Sequence, residues 1–251
     1  MTSVGADPLP LTGERTVPGI PQENYWFRRH EAAYLYLAPY CAQASVLDAG
    51  CGEGYGAALL ASSARRVVAL DYDRHTTGHV ARRYPRLSTV RGNLAALPLA
   101  SSSVDVVASL QVIEHLWDQP QFLAESARVL RPRGRLLVST PNRLTFSPGR
   151  DTPINPFHTR ELAPSELATM LDEAGLTVQV LAGLHHGAAL RALDTAHGGS
   201  LIDAQIAVTQ RGGAWPARLL ADVAAVRAQD FTVQHADIDA SLDLIAVATA
   251  R

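Results

Sequence analysis

Four glycines and an aspartate lie close together in the segment VLDAGCGEGYG (46–56). Glycine lacks a Cβ atom and readily adopts positive φ angles, so a turn rich in glycine lets a small molecule contact the main chain. The segment has the form of a strand that ends at Asp48, a glycine turn and a following helix, which is typical of a ligand-binding turn. The glycines that would line the ligand are Gly50, Gly52 and Gly54.

The glycine spacing distinguishes between two classes of ligand. A dinucleotide fingerprint G-x-G-x-x-G that begins at Gly50 would need a glycine at position 55, where the chain has Tyr55. Asp71 ends the next apolar run, RVVALD (66–71), and a carboxylate there can accept hydrogen bonds from both hydroxyls of a ribose. The pattern therefore favours a nucleoside without a pyrophosphate over a dinucleotide. It also favours ligand binding over a glycine turn and a strand-end aspartate that serve packing alone.

A layered α/β architecture would position these residues. Short runs rich in Val and Leu predict strands buried on both faces, and helix-like stretches separate them. The predicted strands are 45–50, 66–71, 87–93, 104–111 and 134–140, with helices over 54–62, 74–84 and 119–130, a later helix from about 164, and further strands near 177–181 and at the C-terminal end. This alternation predicts a mostly parallel sheet with helices on both faces and ligands at the carboxyl ends of the strands.

Composition limits the range of functions. The 251 residues are 47% hydrophobic, and the net charge of -2 comes from 22 basic and 24 acidic residues without a basic stripe, so a nucleic-acid partner is not expected. The two cysteines are too few for a disulfide framework, and the N-terminal residues lack the apolar core of a signal peptide. With no run of about 20 apolar residues, we expect a cytoplasmic protein without a membrane span.

Four motifs, in this order, resemble those of the class I S-adenosylmethionine-dependent methyltransferases, in particular the branch similar to ubiquinone and menaquinone biosynthesis enzymes. They are VLDAGCGEGYG (46–56), VVALDYD (67–73), GNLAALPLASSSVDVVASLQVIEHLWD (92–118) and RVLRPRGRLLVSTPN (128–142). The resemblance covers roughly residues 34–181 and the final strand. It implies a Rossmann-like sheet of seven strands with helices on both faces, and S-adenosylmethionine as the cofactor.

The resemblance also implies roles for individual residues. Asp48, Gly50, Gly52 and Gly54 would surround the amino acid end of the cofactor, Asp71 would hold its ribose, Tyr72 would pack on the adenine, Asn93 and Leu94 would meet the adenine edge, and Gln111 would lie under the methionine moiety. Many relatives have Asp where this chain has Asn93, so the contact with the adenine amine would use an amide oxygen, which keeps an acceptor but loses a charge.

The segment ENYWFRRHEAAYLYLAPY (23–40) is dense in aromatic residues. For Tyr34, Tyr36 and Tyr40 the preferred interpretation is a helix that packs on the sheet edge. The cofactor carboxylate also needs a cationic or hydrogen-bonding partner, since the glycine turn offers only main chain. The candidates for that partner are Tyr25, Arg28, Arg29 and His30. Similar enzymes use an N-terminal segment of this kind as a lid, so residues 1–44 are interpreted as a lid and helix.

Two histidines are candidates for the chemistry of the acceptor. Methylation of a hydroxyl requires that its proton leave, and a histidine is a natural base. His115, in QVIEHLWD (111–118), and His158, in a Pro-rich loop after the fifth strand, both lie on segments that reach the carboxyl edge. Either could instead serve packing or loop structure, and His158 is slightly favoured as the base. His75 and His79 are expected to be solvated.

Residues 184–236 separate two strands that relatives join more briefly. We predict that this segment is an inserted cap on one methyltransferase domain whose core is 45–183 and 237–251. Trp215 is a candidate stacking surface, and AWPARLLADVAAVRAQ (214–229) is an amphipathic helix. His185, His186, His197 and Asp203 lack the short fixed spacing of metal ligands, so no metal site is predicted.

The identity of the methyl acceptor is predicted only from the resemblance of three segments to known methyltransferases. LTGERTVPG (11–19), ENYWFRRHEAAY (23–34) and FSPGRDTPINPFHTREL (146–162) resemble actinobacterial methyltransferases linked to the methylated glucose polysaccharides of mycobacteria. This implies an O-methyltransferase of polysaccharide biosynthesis, with a sugar hydroxyl as acceptor. The alternatives are a methyltransferase of a quinone, polyketide or other small molecule, and a non-catalytic protein that binds the cofactor for a regulatory or scaffolding purpose.

Overall fold

The computed structural model describes residue 9 and residues 15–150 and 152–251. Its centre is one sheet of eight strands in the order β3-β2-β1-β4-β5-β8-β6-β7. The strands are β1 (Ser45–Ala49), β2 (Arg66–Asp71), β3 (Ser88–Arg91), β4 (Val104–Leu110), β5 (Leu130–Pro141), β6 (Leu176–His186), β7 (Phe231–Gln234) and β8 (Asp243–Ala250). Strands β1 to β5 are parallel to one another, whereas β8 pairs antiparallel with both β5 and β6, and β7 pairs antiparallel with β6. The predicted α/β fold is confirmed.

The predicted number of seven strands is wrong by one. The additional strand is β7, which lies at the sheet edge and pairs with the last four residues of β6, from Gly183 to His186. Alternating side chains in FTVQ (231–234) are buried and exposed, as is usual for an edge strand with one face on the core. The run is only four residues long and carries two polar side chains, so its apolar pattern was too weak to predict a strand.

Helices cover both faces of the sheet. They are α1 (Asn24–Leu37), α2 (Tyr55–Leu60), α3 (Arg74–Arg83), α4 (Gln119–Val129), α5 (Arg143–Phe146), α6 (Pro164–Glu173), α7 (Ala188–Ala196), α8 (Leu201–Arg211) and α9 (Ala217–Ala225). One hydrophobic cluster joins the sheet to α1, α2 and the helices of the predicted cap, and another joins it to α4 and α6. Local signals set the helix starts, since Asp73 and Asp118 accept main-chain N–H bonds at the first turns of α3 and α4.

The predicted cap segment is part of the core. Strand β6 continues to His186, so the predicted boundary at residue 184 falls inside a strand. Leu190, Leu201 and Leu219, from three successive helices of the segment, are buried in the same cluster as the sheet. Trp215, predicted as a stacking surface, is partly buried against this cluster. Within the described ranges, none of the helices is long and apolar enough to cross a membrane.

Candidate active site

The glycine turn between β1 and α2 forms an open cradle. Gly50 has a φ of 87°, and a Cβ atom there would lie 2.6 Å from Cγ2 of Val112, so a larger residue would clash. Gly52 also has positive φ, at 49°, but a Cβ atom there would meet nothing within 4 Å. Gly54, with φ of 86°, is the residue from which α2 begins. The space in front of Gly52 is where a ligand could approach the main chain, which fits the predicted cofactor.

Asp71 ties this turn to the neighbouring strand. Its Oδ2 atom accepts a hydrogen bond from the main-chain N–H of Gly52 at 3.0 Å, and its Oδ1 atom accepts from the N–H of Asp73 at 2.9 Å. Burial raises the pKa of this carboxyl, and the two N–H donors oppose that rise. A carboxylate has about four acceptor positions, so two remain for ribose hydroxyls. Asp71 therefore combines support of the turn with the capacity to bind a ribose.

Asp48 lies beneath the turn, and its side chain does not line the cradle. The residue is fully buried, and its Oδ1 atom accepts a hydrogen bond from the Tyr34 hydroxyl at 3.2 Å. Burial raises the pKa of the Asp48 carboxyl to about 7, although the bond from Tyr34 opposes the rise. This corrects the prediction that Asp48 surrounds the cofactor, because a carboxyl without exposed surface supports the turn from below. Tyr34 is correspondingly a packing residue, as predicted.

The residues predicted to meet the adenine lie at the ends of β2 and β3. Tyr72 is 68% exposed, with the Arg91 guanidinium 5.8 Å from its ring centre. Asn93 is exposed, and its Oδ1 atom accepts a hydrogen bond from the N–H of Ala95 at 2.9 Å. Leu94 is buried below them. An exposed aromatic ring beside a polar edge suits a flat, partly polar base, so this surface fits adenine.

Gln111 follows β4 directly and has a strained backbone. Its φ angle is 56°, in the left-handed region that residues other than glycine seldom adopt. Two bonds to the next strand hold it there, one from its N–H to the Ser139 carbonyl at 2.7 Å and one from its Nε2 atom to the Ser139 hydroxyl at 3.0 Å. Such strain persists where surrounding contacts fix it, and it is common at functional sites.

The four N-terminal residues predicted as possible partners of the cofactor carboxylate have different surroundings in the structure. Tyr25 is fully buried and its hydroxyl lies 2.6 Å from Nε2 of His186. Arg29 is buried in a two-bond ion pair with Asp243, at 2.6 and 2.7 Å. Arg28 pairs with Glu31 at 2.5 Å. The predictions for Tyr25 and Arg29 are corrected, because both side chains are used inside the protein, where they join α1 to the edge of the sheet.

His30 is the candidate that lies beside the glycine turn. Its Nδ1 atom is 3.3 Å from the hydroxyl of Tyr55, the first residue of α2, and 3.4 Å from the hydroxyl of Thr16. Burial lowers the pKa of His30 to about 4, so the ring is neutral at physiological pH. Arg15, which the sequence analysis did not single out, donates a hydrogen bond to Thr76 on α3 at 2.8 Å. Residues 15 and 16 thus lie against α3 and α2, on the cofactor side.

His115 and His158 come together at the carboxyl edge. Their ring centres are 4.8 Å apart, and the rings are nearly perpendicular. The Nδ1 atom of His158 lies 2.7 Å from Oε1 of Glu161, and its Nε2 atom accepts a hydrogen bond from the Asn155 amide at 3.0 Å. The Nδ1 atom of His115 lies 3.0 Å from the carbonyl oxygen of Phe157. The structure therefore brings together the two histidines that the sequence named separately.

Glu114 adds a buried carboxyl to this pair. Its Oε2 atom accepts a hydrogen bond from the Thr140 hydroxyl at 3.0 Å, and its Oε1 atom is 4.0 Å from Nε2 of His115. Burial raises the pKa of the Glu114 carboxyl to about 8. Potential ligand atoms of Glu114, His115 and His158 all lie within 4.8 Å of one another, and this is the group in the described part of the chain that could hold a metal ion.

The other histidines have different surroundings. His79 was expected to be solvated, but it is buried, with its Nε2 atom 2.9 Å from Glu53, because α3 turns this face inward. His75 is exposed, as expected. His186 pairs with Asp194 at 2.7 Å and His197 with Asp222 at 2.8 Å. The four residues considered for a metal in the cap are therefore not one cluster, since two of them have partners of their own.

Sequence reasoning missed several residues around the histidine pair. Glu161 and Asn155 fix the His158 ring, and only the fold shows that they reach it. Trp117 is 94% exposed two residues after His115, and three further large apolar side chains are exposed, Leu144 in α5 and Ile154 and Phe157 in the segment between α5 and α6. The sequence carried a signal for Trp117, because the motif EHLWD places this tryptophan among charged and polar residues, which is typical of a surface position. We refer to Leu144, Ile154 and Phe157, which lie on the part of the chain between β5 and α6 that also carries His158, as the apolar rim.

Comparisons with known proteins agree with this geometry. A family model described as a methyltransferase domain matches residues 47–138. A relative named as a probable S-adenosylmethionine-dependent methyltransferase, from Mycolicibacterium smegmatis, is 61% identical over 96% of this chain and 95% of its own. One of the same description from Mycobacterium tuberculosis is 59% identical over 96% of this chain and 89% of its own.

Solved structures support the fold. An S-adenosylmethionine-dependent methyltransferase from Thermotoga maritima superimposes with a TM-score of 0.60 at 16% identity, covering 90% of this chain and 93% of its own. Another from Mesorhizobium loti has a TM-score of 0.57 at 17% identity, covering 88% of this chain and 97% of its own.

Proposed function

Because the chain belongs to the S-adenosylmethionine-dependent methyltransferases, we propose that it is an O-methyltransferase that acts on a hydroxyl of a sugar, in a polysaccharide or its precursor. The observation that carries the proposal is the meeting of His115 and His158, 4.8 Å apart, at the same sheet edge as the glycine turn. A hydroxyl needs help to lose its proton, and such a pair supplies it.

The cofactor side of the proposed site uses the cradle and the ends of β2 and β4. S-adenosylmethionine, when bound, supplies an electrophilic methyl group on a sulfonium centre. Gly50, Gly52 and Gly54 would give it access to main chain, Asp71 would accept its ribose hydroxyls, and Tyr72, Asn93 and Leu94 would contact its adenine, with Gln111 under the methionine moiety. Among the N-terminal candidates, His30 retains a place beside the turn, and Arg28 lies farther out along α1.

The acceptor side would align the hydroxyl and remove its proton. Glu161 accepts a hydrogen bond from Nδ1 of His158, which leaves the lone pair on Nε2, the atom that the Asn155 amide now contacts. His158 is therefore the preferred proton acceptor, with His115 as the alternative. Residues 15–44 of the predicted lid would help to exclude water from the site, whereas residues 1–8 and 10–14 of that prediction lie outside the described residues.

A sugar acceptor is supported by polar groups beside an exposed indole. The C–H faces of a sugar ring can stack on Trp117 while its hydroxyls reach the histidine pair. The apolar rim formed by Leu144, Ile154 and Phe157 favours a second candidate, an apolar small-molecule acceptor such as a quinol or polyketide. A non-catalytic cofactor-binding protein would have no use for a histidine pair in which a carboxylate orients one ring and a main-chain carbonyl orients the other.

An acceptor panel tests the proposal. The protein would be incubated with S-adenosylmethionine and with glucose oligosaccharides, quinols or hydroxylated polyketides, and methylated products identified by mass spectrometry. We expect methylation of the sugars and its loss in His158→Gln, while His197→Gln retains it. Methylation of quinols alone would support the second candidate, and cofactor binding without methylation of any acceptor would contradict the enzyme proposal for these substrates.

A further inference from the structure

Glu114, His115 and His158 form a compact set of ligand atoms. Each offers one potential ligand atom, and these atoms lie within 4.8 Å of one another. In a tetrahedral site with bonds of about 2.0–2.2 Å, ligand atoms lie about 3.3–3.6 Å apart. The longest separation in the set would therefore have to shorten by at most about 1.5 Å to enclose an ion, which side-chain rotation can supply.

The remaining polar atoms of the two histidines are held by neighbours. A carbonyl or carboxylate oxygen only accepts hydrogen bonds, so the Nδ1 atom of His115 must carry the proton that it donates to Phe157, and the Nδ1 atom of His158 the one that it donates to Glu161. In the neutral form of each ring, the Nε2 atom then carries the lone pair that a metal ion would bind. Histidines that bind metals are oriented in this way, by a carbonyl or carboxylate on the other ring nitrogen.

Glu114 is held in the same manner. Thr140 donates a hydrogen bond to its Oε2 atom, while its Oε1 atom faces Nε2 of His115 at 4.0 Å. The carboxyl is almost fully buried, and within the described residues no Lys or Arg lies at ion-pair distance from it. A carboxyl in such a position is neutral unless a cation binds beside it, so an ion here would be the partner of the carboxylate form.

We propose that Glu114, His115 and His158 bind a divalent transition-metal ion. Two imidazole nitrogens and one carboxylate oxygen suit zinc, manganese, iron, cobalt or nickel better than calcium or magnesium, which prefer oxygen ligands. Three protein ligands leave open coordination positions, as in catalytic rather than structural sites. To reach the ion, His158 exchanges its contact with the Asn155 amide for the metal.

The use of the ion rests on the proposed function. An open position at the carboxyl edge would hold the acceptor hydroxyl oxygen, and coordination to a divalent ion lowers the pKa of a bound hydroxyl or water. In that state His158 is a ligand and not the proton acceptor, and the proton of the coordinated hydroxyl would pass to solvent. The sequence predicted no metal because the ligands come from two segments more than forty residues apart, whereas spacing rules address ligands on one element.

Metal binding can be measured without turnover. Protein dialysed against EDTA would be titrated with Zn²⁺ by calorimetry and with Co²⁺ by visible absorption, since d–d bands report the ligands. We expect one equivalent of each ion in the wild type and at least about tenfold weaker binding in Glu114→Gln, His115→Gln and His158→Gln. His197→Gln, which alters a histidine–carboxylate pair elsewhere, should bind like the wild type.

The controls keep the two proposals separate. Circular dichroism would show which variants fold, and Glu161→Gln, which perturbs only the orientation of His158, serves as a second test with weakened Co²⁺ binding. No binding, or equal binding in the folded ligand variants, would overturn the ion site. If sugars are methylated by protein without metal, the proposed function stands with His158 as base. If Zn²⁺ binds at the cluster but sugars are not methylated, the ion site stands without that function.

Discussion

The cofactor half and the acceptor half of the site are built differently. In the cofactor half, the glycine turn follows β1 and Asp71 ends the parallel strand β2, where the main-chain N–H groups of Gly52 and Asp73 donate to its carboxylate. In the acceptor half, side chains from the end of β4 and from the loop after β5 meet, and each histidine is oriented by another group. The first half depends on backbone shape and tolerates few changes at glycine, whereas the second depends on a set of titratable side chains.

The difference predicts separable effects on binding and turnover, and the largest should follow replacement of His158. His158→Gln retains much of the shape but removes the lone pair at Nε2, so kcat should fall by about 10²–10⁴. The same loss is expected whether His158 accepts the proton or ligates an ion. Calorimetry with S-adenosylhomocysteine should show unchanged affinity. A variant that loses cofactor affinity as well would show that the two halves are not independent.

Asp48 should make the cofactor half sensitive to pH. Its pKa is about 7 in the folded protein, above the ordinary value of 3.8, so the folded state holds a proton that the unfolded state releases between these values. Stability conferred by this proton is present at low pH and is lost as the pH rises through about 7.

Asp48→Asn removes this dependence. Between pH 5 and pH 8, the free energy of unfolding of the wild type should fall relative to that of the variant by about 3 kcal/mol, since only the part of this range below about pH 7 lies between the two pKa values. Urea denaturation of both proteins at pH 5 and pH 8 measures their free energies of unfolding. Because both proteins contain Glu114, its contribution cancels when the variant is subtracted from the wild type. Parallel pH curves for the two proteins would show that the Asp48 carboxyl titrates normally.

Asp71→Ala should weaken the binding of S-adenosylmethionine and S-adenosylhomocysteine. Loss of the ribose acceptor and of the bond to Gly52 should cost roughly 1.5–3 kcal/mol, or about 10–150-fold in affinity. Asp105→Ala is the matched control, since Asp105 lies at the opposite end of the sheet and pairs with Arg131. Unchanged affinity in Asp71→Ala, or tight NAD binding by the wild type, would contradict the assigned cofactor site.

The smallest effect on activity is expected in the helices after β6. His197→Gln breaks the bond to Asp222 that joins the end of α7 to α9, and should lower the free energy of unfolding by about 1 kcal/mol. Turnover should remain unchanged, because this pair lies outside the acceptor cluster. A large fall in kcat in the folded variant would show that the helices after β6 contribute to the acceptor half of the site.

Point variants are preferable to removal of the whole segment 184–236. Its helices bury Leu190, Leu201 and Leu219 in the core that also packs against α1. Deletion would expose this apolar surface and remove the edge strand β7, so a loss of activity would report unfolding and not acceptor specificity.

The sequence by itself determined the parallel half of the sheet, the glycine turn and the place of Asp71. These features follow from local chemistry, since apolar runs form buried strands and only glycine fits the backbone at Gly50. The glycine turn follows β1 and Asp71 ends the adjacent strand β2, so these two motifs, which are consecutive in the sequence, are also neighbours in the structure.

Only the tertiary structure decided which side chains meet. Asp48 turns under the loop toward Tyr34, Arg29 is taken up by Asp243, and the two histidines share one cluster with Glu114. These outcomes depend on contacts between residues far apart in sequence, and the direction of a side chain depends on which face of its element is covered. The physical reason is that packing and charge pairing act between residues that are close in space. The spacing of residues along the chain therefore specifies the glycine turn, but it does not specify which distant side chains contact one another.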